Sequence, residues 1–138
     1  PLTAGSVPDA VAAAQRAGFP VKLRLTGDAR DVPANVQLAV SRTVQESLTN
    51  AMRHAPEATN IQIDLEYTAI AVRIDVENDG VPTRNSALTS GGGFGLQGIS
   101  ERLSHAGGRV AVGSAGPGIW KVHALIPLNN ASNALEEP

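Results

Sequence analysis

Four polar side chains fall at helical spacing on one stretch of the chain: Glu46, Asn50, Arg53 and His54. On a helix they lie within about one-third of a turn of each other. For Glu46 or Arg53 alone the ordinary role is a solvated helix face. Asn50 fits that role less well, because a mid-helix amide competes with the backbone for hydrogen bonds. Together the four offer oxygen ligands for a hard cation such as hydrated Mg²⁺ and donors for phosphate oxyanions.

A second group is Glu77-Asn78-Asp79-Gly80. Asp-Gly by itself is a turn. At a strand end facing a pocket, it also presents an acceptor for an amine such as adenine N6. The third group is Gly91-Gly92-Gly93-Phe94-Gly95-Leu96-Gln97-Gly98, in which Gly93, Gly95 and Gly98 match G-x-G-x-x-G. A dinucleotide-binding reading fails on context. A polar loop precedes the motif, no Asp follows Asp79, and no Glu lies between Glu101 and Glu136. A protein-kinase reading fails because V-A-I-K, H-R-D and D-F-G are absent. What survives is a glycine loop opening a helix, whose backbone N–H groups can approach an anion. A ligand-free linker is the alternative. His105 suits a helix end, and His123 belongs on the exposed side of a strand. No histidine or carboxylate spacing suggests a transition-metal site, and no Ser has an elbow motif and a base.

The periodicity supplies the elements that must hold these groups. Asp9 to Ala17 is a helix stopped by Gly18. Val21, Leu23 and Leu25 alternate with Lys22 and Arg24 as a half-buried strand. Pro33 opens a helix of about five turns whose stripe is Val36, Val40, Val44, Leu48 and Met52, and Pro56 ends it. Ile61–Tyr67 and Ile70–Val76 alternate as an antiparallel hairpin linked at Thr68-Ala69. The aperiodic stretch from Val81 to Gly93 is long for a compact domain, which marks it as functional or mobile. Leu96, Ile99 and Leu103 mark a helix stopped by Gly107-Gly108. Strands at Val110–Val112 and Trp120–Ile126 complete the pattern. This order predicts a two-layer α/β sandwich, with a mixed, mostly antiparallel sheet covered on one face by helices.

The 138 residues suit one domain, expected over 9–128 between tails at 1–8 and 129–138. Hydrophobic residues make up 42% and charged residues 17%, the balance of a globular chain. The net charge of -2 argues against a nucleic-acid partner. The sequence has no apolar run of about 18 residues, so no membrane contact by this fragment is expected. Nor does it begin with a basic and then apolar leader. The absence of Cys excludes disulfides, zinc–thiolate sites and Cys nucleophiles. A start at Pro1 suggests a piece cut from a longer chain.

Three segments in order resemble the N, G1 and G2 boxes of the histidine-kinase catalytic ATP-binding domain, of the GHKL (Bergerat-fold) superfamily. They are Glu46-Ser47-Leu48-Thr49-Asn50-Ala51-Met52-Arg53-His54-Ala55, Asn78-Asp79-Gly80, and Gly93-Phe94-Gly95-Leu96-Gln97-Gly98-Ile99-Ser100-Glu101-Arg102-Leu103. The last wording is most similar to sensor kinases that pair with NarL/LuxR-type response regulators. The resemblance spans about residues 9–128. It implies ATP and Mg²⁺ as ligands. Asn50 would ligate Mg²⁺, and Glu46 would orient a metal-bound water or act as base. Arg53 and His54 would approach the phosphates. Residues of about 81–93 would form an ATP lid, and Gly93, Phe94, Gly95, Leu96 and Gly98 would close on the nucleotide.

Two departures stand out. The family's G1 box usually reads Asp-x-Gly-x-Gly. Here Asn78 holds the Asp position, Asp79 follows it, Gly80 is the first Gly and Pro82 replaces the second. Either Asn78 or Asp79 would then accept from adenine. Trp120 stands where the family often has Thr or Ser near the base.

The resemblance also implies partners. The phosphoacceptor histidine would sit on a dimerisation domain outside this chain, and a cognate NarL/LuxR-type regulator would receive the phosphoryl group. The domain by itself would be a cytoplasmic monomer, whether or not its parent is membrane-anchored. Two other activities fit the same fold: a catalytically silent nucleotide-binding sensor, and an anti-sigma-factor serine kinase of the same superfamily.

Overall fold

The computed structural model describes residues 6–82 and 93–128, with the backbone alone at 93–97. Within them the order is α1 (Val7–Arg16), β1 (Val21–Thr26), α2 (Ala34–His54), β2 (Ile61–Tyr67), β3 (Ala71–Asn78), α3 (Gly93–His105), β4 (Arg109–Gly116) and β5 (Ile119–Pro127).

α1 starts two residues before the expected Asp9. Ser6 caps it, its hydroxyl accepting from the Asp9 N–H at 3.2 Å, and Pro8 lies in the first turn. Val7, placed in a tail by the sequence, is therefore buried. α2 begins after Pro33 and stops at His54. Ala55 precedes Pro56 and leaves the helical region at φ -135°, ψ 63°, as crowding by a proline ring demands.

The sheet order is β1-β2-β3-β5-β4. β1 runs parallel to β2, and every other neighbouring pair is antiparallel. Alternation decides which side faces the helices. Ile61, Ile63 and Leu65 of β2, Val72, Ile74 and Val76 of β3, and Val122, Ala124 and Ile126 of β5 are all buried. Against them α2 sets Val36, Val40, Val44 and Leu48, and α3 sets Ile99 and Leu103. Each fully buried Ile or Leu contributes about 1.5–3 kcal/mol. The result is a two-layer α/β sandwich with a mixed, mostly antiparallel sheet, as the periodicity predicts.

Two local expectations are corrected. β1 is not evenly half-buried: Val21 is in the core, but Leu25 is 59% exposed, because β1 is an edge strand. The β2–β3 link is also longer than Thr68-Ala69. Ile70 lies in the turn and is 69% exposed, and the Thr68 N–H donates to the Ala71 carbonyl at 2.9 Å. Among the described residues no helix is long and apolar enough to cross a membrane.

Candidate functional site

α2 and α3 meet along one seam and run antiparallel. Gly98 and Arg102 of α3 lie against Glu46 of α2. One to two turns further along, His105 and Ala106 face Leu38, Ala39 and Arg42. The α3 N-terminus therefore points toward the Asn50 end of α2. Its first N–H groups have no intrahelical acceptor, which is the property the glycine motif needs to face an anion.

At the centre of the seam Arg102 Nη1 donates to Glu46 Oε2 at 2.5 Å, a short charge-assisted bond. The other oxygen, Glu46 Oε1, is buried and has no partner among the described residues. Leaving a buried acceptor unpaired costs about 1–3 kcal/mol, which a donor from a bound ligand or its water shell would recover. A Cβ built on Gly98 would lie 3.4 Å from Arg102 Nη1 and 3.6 and 3.7 Å from the two Glu46 oxygens. Asn50 follows Glu46 by one turn and is half-buried. Arg53 is exposed and His54 half-buried, both in the last turn of α2, where positive charge suits the helix dipole.

The G1-like segment closes the same end of the sandwich. Asn78 ends β3 opposite Ile61 of β2 and Trp120 of β5, and is 2% exposed. Its Nδ2 donates to the Asp79 carbonyl at 2.8 Å. That bond identifies the amide nitrogen, so Oδ1 is the atom left to accept. The Asp79 carboxylate is engaged elsewhere. It accepts from the Thr59 N–H at 2.7 Å, from the Asn60 N–H at 3.1 Å and from the Thr59 hydroxyl. The bond from the Thr59 hydroxyl, helped by the backbone donors, holds its carboxyl below the usual range. Gly80 has φ +80°, and a Cβ there would lie 2.8 and 2.9 Å from Ala58 Cα and N. Only glycine fits, and the turn is pinned to the segment that follows α2. Folding thus brings Glu46, Asn50, Arg53 and His54, the α3 N-terminus and the Asn78 turn to one end of the molecule.

Arg102 was not among the residues singled out from the sequence. Its signal is present there: it follows Gly98 by four residues and so shares that residue's helix face. Thr59 and Asn60 carry no comparable signal, since their link to Asp79 spans about 20 positions of chain. The expected lid falls on residues of which 83–92 lie outside the described ones, as do the side chains of Phe94 and Leu96. Among the described residues no cluster of three or more His, Cys, Asp or Glu side chains could hold a metal. A hard cation here would take oxygen from Asn50 and from a water facing Glu46, with the remaining ligands from phosphate and solvent, the usual habit of Mg²⁺.

Residues 35–130 match the family model for histidine kinase-, DNA gyrase B- and HSP90-like ATPases. The chain is 31% identical over 116 residues to the sensor histidine kinase LnrJ of Bacillus subtilis, which covers 84% of this chain and 28% of that protein. It is 32% identical over 115 residues to the sensor histidine kinase YxjM of the same organism, covering 83% of this chain and 27% of that one. The chain thus spans about a quarter of the length of the curated relatives it matches. Among solved structures, the fold is shared with the histidine kinase domain of the Erythrobacter litoralis EL346 blue-light activated histidine kinase. The TM-score is 0.65 at 23% identity, over 94% of this chain and 62% of that one. A second structure of that kinase gives 0.69 at 22% identity, over 91% of this chain and 42% of that one. Matched over most of its length and carrying its polar and glycine groups at one end of the sandwich, the chain belongs to the histidine kinase-, DNA gyrase B- and HSP90-like ATPase family.

Proposed function

We propose that this domain binds Mg²⁺·ATP where α2, the α3 N-terminus and the Asn78 turn converge. It then passes the γ-phosphoryl group to a histidine on a dimerisation domain outside this chain. The observation that carries the reading is Glu46, one turn before Asn50: one oxygen is anchored by Arg102, and the other is buried beside Gly98 and unpaired among the described residues. Asn50 supplies a neutral oxygen to the cation. Glu46 holds a water of the cation or takes the proton that the attacking imidazole sheds. Arg53, His54 and the backbone N–H groups of Gly93 and Gly95 in the first turn of α3 favour the phosphates by charge and donation, and Gly98, further into the helix, leaves room beside Glu46. Asn78 Oδ1 is the acceptor for adenine N6, because the Asp79 carboxylate is spent on Thr59 and Asn60. When bound, Mg²⁺ supplies neutralisation of the charge on the transferring phosphoryl group. In the transfer, an imidazole nitrogen forms the N–P bond as the bond from phosphorus to the bridging oxygen breaks, and ADP leaves with those electrons.

The parent would be a two-component kinase with a NarL/LuxR-type regulator, and the domain itself a cytoplasmic monomer. The test is calorimetric titration of Mg²⁺·ATP into the native domain and into Asn50→Ala. Binding in the micromolar range is expected, weakened by about 100-fold or more in the variant, the scale of a lost ligand-orienting contact. Absent binding by the native domain would remove the reading. Tight binding with no transfer to an added histidine fragment would select the silent nucleotide module instead.

A further inference from the structure

We infer that Arg102 is a positioning residue: it fixes the Glu46 carboxylate and acts on transfer through that group, without touching the nucleotide. The inference rests on the catalytic reading above and adds to it the residue that aims Glu46.

The geometry is specific. Arg102 reaches from α3 to α2 across 56 positions of chain, and its Nη1 donates to one Glu46 oxygen at 2.5 Å. The other described ion pairs lie on the outer face of the sheet or in the Asp28–Arg30 turn, so this pair has the seam to itself among the described residues. A carboxylate is planar. Once a guanidinium holds Oε2, rotation about the last side-chain bond is stopped and the direction of Oε1 is set. Oε1 is the atom left buried and, among the described residues, unpaired.

Two neighbours make the arrangement depend on Arg102. Arg42 stands one turn before Glu46 on α2 and lines the same groove as Arg102, yet the ion pair of Glu46 is made with Arg102. An Arg placed N-terminal to a Glu at that spacing is the weaker orientation on a helix. Gly98, one turn before Arg102, presents no side chain to the pair. A Cβ there would already touch Nη1 and both oxygens, so a larger group would enter the bond.

The test compares the native chain with Arg102→Ala, Arg102→Lys, Glu46→Gln and the Glu46→Gln/Arg102→Ala double variant. The rate of ³²P transfer from ATP to an added phosphoacceptor-histidine fragment is measured at saturating ATP, and the ATP Kd separately. Arg102→Ala is expected to slow transfer about 10- to 100-fold, the usual loss when the group orienting a reactive ligand is removed. Its Kd for ATP without Mg²⁺ is expected to stay within about twofold of native, since only the aim of Glu46, which acts on the cation or the proton, has changed. Arg102→Lys should recover most of the rate, because it keeps a cation facing Oε2 and guards against a variant that fails to fold. The double variant should be no slower than Glu46→Gln alone, the mark of two residues acting as one unit. Rates that multiply in the double variant would overturn the inference. So would an Arg102→Ala variant whose affinity for ATP without Mg²⁺ falls by the factor its rate does, since Arg102 would then contact nucleotide. Failure of the catalytic reading looks different: the native chain would bind ATP and transfer nothing, or bind none.

Discussion

In the α2/α3 seam, Arg102 and Glu46 pair at 2.5 Å with 36% and 30% of their side chains exposed. On the outer face of the sheet, Arg24 and Asp64 approach only to 3.8 Å, at 76% and 44% exposure, and Arg73 and Glu66 to 3.5 Å. The same two kinds of side chain meet in both places. In the seam both helices hold the pair, solvent is partly excluded, and a second carboxylate oxygen is left without a partner among the described residues. On the outer face, strand register places the charges opposite each other, as at Arg24↔Asp64 and Glu66↔Arg73, and water screens them. The outer pairs are cross-strand neighbours of a solvated surface. The seam pair is a fixed device.

The contrast can be broken first at Glu46. Replacing it by Ala leaves Arg102 without its partner but also removes the unpaired Oε1, so the two effects partly offset and the unfolding free energy from urea melts should fall by about 1 kcal/mol. Transfer should be lost with it. Undiminished stability would place the seam on the same footing as the outer face. A smaller effect of opposite sign sharpens the picture at Gly98. An added Cβ meets the pair at ordinary contact distance, and Gly costs a helix interior about 0.5–1 kcal/mol relative to Ala. Gly98→Ala should therefore melt later by about that free energy. An earlier melt would mean that the helices need a closer approach than a methyl allows. The smallest effect belongs to the outer face, where Arg24→Ala should change stability by about 0.2–1 kcal/mol, and less in high salt. A larger loss would show that the ladder carries structural weight.

Much of the site could be read before folding. The spacing of Glu46, Asn50, Arg53 and His54 on one helix face depends only on 3.6 residues per turn, and the long apolar stripe made that helix unambiguous. The hairpin of β2 and β3 followed from strict alternation. The errors arose where local pattern is weak or a tertiary neighbour decides. Leu25 alternates like a core residue, but its strand lies at the sheet edge. Val7 reads as tail until Ser6 caps a helix over it. The partners of Asp79, Thr59 and Asn60, were likewise not legible.

By itself the sequence determined which elements form, which face of each is apolar, and that three polar or glycine-rich boxes occur in order. These are properties of short windows, governed by helix and strand periods and by backbone freedom at glycine. Only the tertiary structure decided that Glu46 meets Arg102, that Asn78 is buried while Asp79 is spent on the backbone, and that Gly80 must lack a side chain. Each of those depends on groups about 20 or more positions apart brought within a few ångströms, and that proximity is set by the packing of whole helices on the sheet.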